Sequence, residues 1–211
     1  MNTRKLWYVV VMVVLVVAAS AVPAKADTVV VYDNGPLNGN VQAYGINFGF
    51  SVSDSFPGPD GFTTLTGATI GLWVLLGDKP LTVDWSIGTS FFGSDVASGT
   101  SNLTNKPDFT NSFGYRVFTS SFSFGILGFI PQGTYYLTLQ NATSVEGNSV
   151  YWDQNSGPSL AMDSSLGSVP SETFQIIGNR VGDLVPEPAS LLLIATGLLV
   201  LAGAVRKRIK E

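Results

Sequence analysis

Leu81, Val83, Trp85 and Ile87 alternate with Thr82, Asp84, Ser86 and Gly88. A period of two fits a strand with one dry face and one wet face. The same alternation joins Tyr44, Ile46, Phe48, Phe50 and Val52, which predicts one continuous strand there. It also joins Tyr135, Leu137 and Leu139, whose side chains should point inward. Residues 28–32, 68–76, 115–124, 149–152 and 173–177 are further strand candidates. Turn-forming runs separate them: Asp33-Asn34-Gly35-Pro36, Pro57-Gly58-Pro59-Asp60-Gly61, Gly77-Asp78-Lys79-Pro80, Pro131-Gln132-Gly133 and Asn155-Ser156-Gly157-Pro158. A purely parallel sheet would be apolar on both faces of each strand. The expected fold is therefore all-β, an antiparallel β-sandwich, with the jelly roll among the forms open to it. It is flanked by an N-terminal signal helix and a C-terminal transmembrane helix, and both are argued from the ends of the chain.

Arg4 and Lys5 precede an apolar run over residues 6–21, which gives way to Val22-Pro23-Ala24-Lys25-Ala26. A charged start, an apolar middle and a small-x-small ending make a secretory signal peptide over residues 1–26. Ala24 and Ala26 suit a signal peptidase that cuts before Asp27. At the other end, Val185-Pro186-Glu187-Pro188 leads into residues 189–205, which carry no charge, and then into Arg206, Lys207, Arg208 and Lys210. As a helix the uncharged run would be about 25 Å long, at the short end of what crosses a bilayer. Pro186 and Pro188 lack the N–H and the backbone freedom to extend that helix backwards. The basic tail, residues 206–211, marks the cytoplasmic side. Residues 27–184 are then the exported domain, facing outward, and residues 185–211 a separate terminal signal.

The motif Val185-Pro186-Glu187-Pro188-Ala189-Ser190, the short apolar helix and the basic cluster together resemble the PEP-CTERM sorting signal of bacterial surface proteins. The resemblance implies processing by exosortase, a membrane enzyme, near the motif. It further implies transient anchoring through the C-terminal helix, then surface display or release alongside exopolysaccharide and biofilm machinery. Tyr32-Asp33-Asn34-Gly35-Pro36, Tyr151-Trp152-Asp153 and Pro170-Ser171-Glu172-Thr173-Phe174 are similar to segments in exported β-domains of other PEP-CTERM proteins. That similarity implies a shared fold and no particular activity.

Of the chain's 11 basic and 15 acidic residues, only Lys79, Lys106, Arg116 and Arg180 among the basic ones lie in residues 27–185, against 13 acids there, a net charge of −9. Such a domain repels phosphate backbones, so nucleic acid is not an expected partner. The chain has no histidine and no cysteine. Ser-His-Asp and Cys-His catalysis, nitrogen or sulfur zinc sites, and disulfides are thereby excluded. Carboxylate chemistry remains. Asp84 and Asp153, each beside a tryptophan, are the pair a glycosidase would have to use, although both read as solvated acids beside core aromatics. Asp33, Asp60, Asp153 and Asn155 offer hard oxygens in turns, the donor type calcium takes, without an EF-hand spacing. Turn residues also use those oxygens for their own backbone. Trp73 falls on the opposite parity to Ile70, Leu72 and Val74. With Tyr136 and Tyr151 it would form an aromatic platform for a glycan, or else pack beneath a loop.

The expected reading is an exported, non-enzymatic cell-surface or matrix protein that needs no cofactor. A glycan-binding module, with or without calcium, is the alternative, and a glycosidase ranks below both. Protein recovered from the cell envelope should begin at Asp27 by N-terminal mass spectrometry. Recovery with residues 1–26 attached would contradict the signal-peptide reading.

Overall fold

A computed structural model describes residues 28–58, 63–129, 131–180 and Gly197. All of these but Gly197 lie in one unit, Thr28–Gly182. The strands are β1 (Val29–Asp33), β2 (Ala43–Gly45), β3 (Ser51–Pro57), β4 (Thr63–Leu75), β5 (Pro80–Gly88), β6 (Ala97–Asn102) and β7 (Thr104–Thr110). They continue with β8 (Tyr115–Phe129), β9 (Thr134–Ser144), β10 (Val150–Asp153), β11 (Ala161–Asp163), β12 (Gly167–Val169) and β13 (Phe174–Arg180). Every pairing is antiparallel. One sheet has the order β12-β11-β3-β9-β5-β6. In the other, β4 is the spine. One of its edges pairs with β8, and the opposite edge is shared by β13 along Thr63–Ile70 and by β10 along Leu72–Val74. β1 extends β13, β2 extends β10 and β7 extends β8.

The core lies between the sheets. Ile70, Leu72, Val74, Phe118, Trp152, Phe174 and Ile176 from the β4 sheet meet Val52, Phe56, Val83, Trp85, Ile87, Leu137 and Leu139 from the sheet of β3, β9 and β5. Tyr135, Leu137 and Leu139 point inward as their alternation predicts, and Trp152 shares the dry side with Val150. The all-β, antiparallel expectation holds for this unit. The predicted helices and the sorting residues Val185, Pro186, Glu187 and Pro188 lie outside the described residues, as do Ala24, Ala26 and the basic tail Arg206, Lys207, Arg208 and Lys210. Among the described residues, no helix is long and apolar enough to cross a membrane.

Two expectations are corrected. Residues 44–52 are not one strand. β2 ends at Gly45, a turn closes when the Phe50 amide donates to the Asn47 carbonyl at 3.1 Å, and β3 then begins in the other sheet. Period-two apolarity persists through the turn because Phe48 and Phe50 are exposed rather than inward. Leu81 is also exposed, because the register of β5 on β9 shifts twice between Pro80 and Asp84. Side chains before the shifts no longer follow the inward parity of Val83, Trp85 and Ile87.

The β4–β5 connection hangs on Asp78. Its Oδ1 accepts from the amides of Lys79 at 2.7 Å and Glu146 at 3.0 Å, and its Oδ2 from Asn148 Nδ2 at 3.0 Å. Burial raises the pKa of this carboxyl, but bonds from Ser144, Glu146, Lys79 and Asn148 outweigh it and hold the value down at about 2. Asp78→Ala strands two amides and should cost about 1–3 kcal/mol in urea denaturation at pH 7. A lowered native pKa means the ionised carboxyl contributes fully above its ordinary value of 3.8 and loses that contribution as pH falls toward about 2. The gap between variant and wild type should narrow over that range.

Candidate functional site

One end of the sandwich holds buried acids. Asp153, at the end of β10, is fully buried. Its Oδ1 accepts from Trp73 Nε1 and the Gly39 amide, and its Oδ2 from the Asn38 amide and Thr173 Oγ1, all at 2.8 Å. Burial still pushes its pKa up against these four donors. The bonds draw the segment between β1 and β2 across the outer face of β4, over Trp73. Gly71 permits that approach, since a Cβ there would run into Leu37 Cδ1.

Behind this lies a second knot. Asn34 Nδ2 is within hydrogen-bonding distance of Ser159 Oγ (2.6 Å), Ser171 Oγ (2.7 Å), the Glu172 carbonyl (2.7 Å) and Asp54 Oδ2 (3.1 Å). Its Oδ1 accepts from the Tyr32 hydroxyl at 2.6 Å. Asp54 lies on the inward parity of β3, between Val52 and Phe56, and accepts from the amides of Glu172 at 2.7 Å and Ser55 at 2.6 Å. Burial raises it to about 6 in spite of those bonds. Glu172 is 0% exposed, and neither carboxyl oxygen has a partner. Burial first, then the charges of Asp54, Asp153 and Asp163, drive its pKa well above the ordinary value. A neutral Glu172 is the state such a site favours.

Because Glu172 and Asp54 hold raised values, their contribution to stability is full below the ordinary carboxyl range. It is lost as pH rises through the raised native values. The melting temperature of Glu172→Gln should therefore fall less than that of wild type between pH 5 and pH 8, with the variant the more stable at pH 8. A wild type that gains stability over that interval through this group would contradict the assignment.

A different arrangement marks the surface where the chain crosses from one sheet to the other. Tyr44, Phe48, Phe50 and Tyr151 line an open cleft of about 260 Å³, together with Asn47 and Asp163. Asp163 Oδ1 accepts from the amides of Ser165 (2.7 Å) and Leu166 (3.0 Å) and from Ser165 Oγ (2.7 Å). The Tyr44 hydroxyl donates to Gln154 Oε1 at 3.2 Å.

The predicted site residues are distributed as follows. Trp73 is only 4% exposed, stacked on Phe113 at 5.9 Å and bonded to Asp153, so it offers no surface face. Tyr151 sits beside it in register and meets Tyr115 edge-on at 5.5 Å. Tyr136 lies in the other sheet, against Phe91, so the three do not form one platform. Asp84 is half-buried and held by Thr100 Oγ1 and Asn141 Nδ2. Asp153 belongs to the opposite sheet and is buried rather than solvated. Asp33 bonds the Gly35 amide and Gln175, and Asn155 bonds the Gly157 amide and the Asn34 carbonyl. Asp60 lies outside the described residues. Among the described residues, no three acidic side chains are placed to hold a metal ion. Asp54, Asp163, Glu172, Tyr44, Phe48 and Phe50 were not singled out as site residues by the sequence. Asp54 carried a legible signal, being a charge at an inward position between Val52 and Phe56. Phe48 carried another, since it stands between Asn47 and Gly49.

No curated protein matches the chain. Residues 184–208 match the PEP-CTERM protein-sorting motif. By that segment the chain is similar to PEP-CTERM proteins, and the motif marks it as an exported protein sorted by exosortase.

Proposed function

We propose that the chain is a non-enzymatic cell-surface or extracellular-matrix protein, delivered by exosortase into an exopolysaccharide or biofilm setting. The observation that carries this reading is the sorting motif at residues 184–208, placed after a folded β unit. In this reading signal peptidase removes residues 1–26. The helix at 189–205 anchors the chain in the membrane until exosortase acts, and the basic tail stays on the cytoplasmic side. The buried acids support a structural role, because Asp153 spends its lone pairs on four protein donors. Asp84 is likewise held by Thr100 and Asn141, which speaks against a free pair of carboxyls for a glycosidase.

A second reading, a glycan-binding module, is favoured by the half-exposed aromatic cleft at the sheet crossing. It supplies a reason for surface delivery, since a matrix protein must hold on to matrix.

Deleting residues 185–211 and fractionating the cells tests the sorting step. The truncated protein should leave the surface fraction and appear in the periplasm or medium. Unchanged surface retention would overturn the reading.

A further inference from the structure

We propose that the cleft lined by Tyr44, Phe48, Phe50 and Tyr151 is a saccharide site that takes one neutral sugar unit of a longer chain. The inference rests on the glycan-binding reading and places it at named residues.

The first observation is the cost the fold bears at this point. Phe48 has φ 54° and Gly49 φ 90°, and the Phe50 amide closes the turn on the Asn47 carbonyl. Two consecutive left-handed residues make the turn that Asn-Gly serves best. A bulky aromatic in the first of those positions is strained. It is not held there by packing, since Phe48 is 69% exposed and Phe50 46%. Strain and apolar exposure at the same residue are what a binding surface retains and a purely structural turn does not.

The second observation is that the cleft is fixed in shape before any ligand arrives. Ile46 donates its amide to the Val150 carbonyl at 3.0 Å, and the Ala142 amide donates to the Ile46 carbonyl at 2.9 Å. Asn47 Nδ2 donates to the Asn148 carbonyl at 3.2 Å. Across the cleft, Ser51 and Ser164 exchange bonds, the Ser51 amide to Ser164 Oγ at 3.0 Å and the Ser164 amide to the Ser51 carbonyl at 2.9 Å. Rings held on such a frame bind without paying to order loops.

The third observation concerns chemistry. Aromatic faces carry partial negative charge and attract C–H edges and cations, not anions. Asp163 Oδ1 is occupied by Ser165 and Leu166, and its Oδ2 takes none of those bonds. That oxygen is an acceptor for a hydroxyl and a repellent for a carboxylate or sulfate. The exposed rings of Phe48 and Phe50, beside an acceptor on the 4% exposed Asp163 and in about 260 Å³, describe a place for a single sugar ring whose neighbours continue into solvent.

The test uses the full chain in detergent, on an array of cello-, manno-, galacto- and chito-oligosaccharides with polygalacturonate as the anionic arm. Phe48→Asn and Phe50→Ala are run alongside, with melting curves and sizing for each protein. Retention on at least one neutral arm but not on polygalacturonate is expected, with at least a tenfold loss in each variant. Phe48→Asn should melt about 2–4 °C higher, because it relieves the turn. A variant that loses binding while gaining stability cannot have failed by unfolding. Retention that both variants keep would overturn this site and leave the glycan reading standing. Folded wild type that no arm retains would overturn both. So would loss of self-association in Phe48→Asn without any glycan binding, which would assign the rings to a second copy of the chain.

Discussion

The structure depends on carboxylates buried where no cation meets them. Among the described residues the one ion pair is Lys106 with Asp108, at 3.7 Å, and Lys106 is largely exposed there. Asp153 and Asp54 must therefore be satisfied by N–H and O–H donors, since a buried charge left bare is far costlier than an unmade contact between apolar groups. Asp153 recruits its donors from Asn38, Gly39, Trp73 and Thr173. Those four residues come from three separate stretches of chain. Irregular segments are thus held against the sheet by the needs of one side chain. Glu172 is the exception: its oxygens find no donor, and the fold accommodates it by favouring its neutral form.

Of the acids that looked available for catalysis or calcium, Asp33 and Asp153 bond loop amides and Asp84 bonds Thr100 and Asn141. The surface where the chain passes between sheets is aromatic, with Phe48 and Phe50 exposed. That crossing needs a turn with two left-handed residues, and a phenylalanine occupies the less suited position. The local stability forgone there is a cost the well-bonded frame around it can bear.

The strands with clean alternation were legible because one face is dry and the other wet. Tyr135, Leu137 and Leu139 follow that rule, and so do Val83, Trp85 and Ile87. The short strands β6, β7, β11 and β12 carry mixed polar sequences, and their pairing is decided by neighbours distant in the chain. The turn at Asn47-Phe48-Gly49 was hidden because exposed aromatics imitate the apolar half of an alternation. Trp73 was correctly placed off the core parity, yet its burial comes with Phe113 and Tyr115 packed against its ring and with Asp153, 80 positions away, accepting from its Nε1. Asp153 itself was read as solvated for the same reason. Alternation reports which face a side chain takes, and it is silent on what covers that face.

Hydrogen exchange of individual amides tests the central claim, that buried carboxylates hold the irregular segments in place. The amides of Asn38, Gly39 and Glu172 lie outside the strands and donate to Asp153 or Asp54. They should exchange only through global unfolding, as slowly as the amides of β4 and β9. Exchange at the rate of freely solvated loop amides would contradict the account.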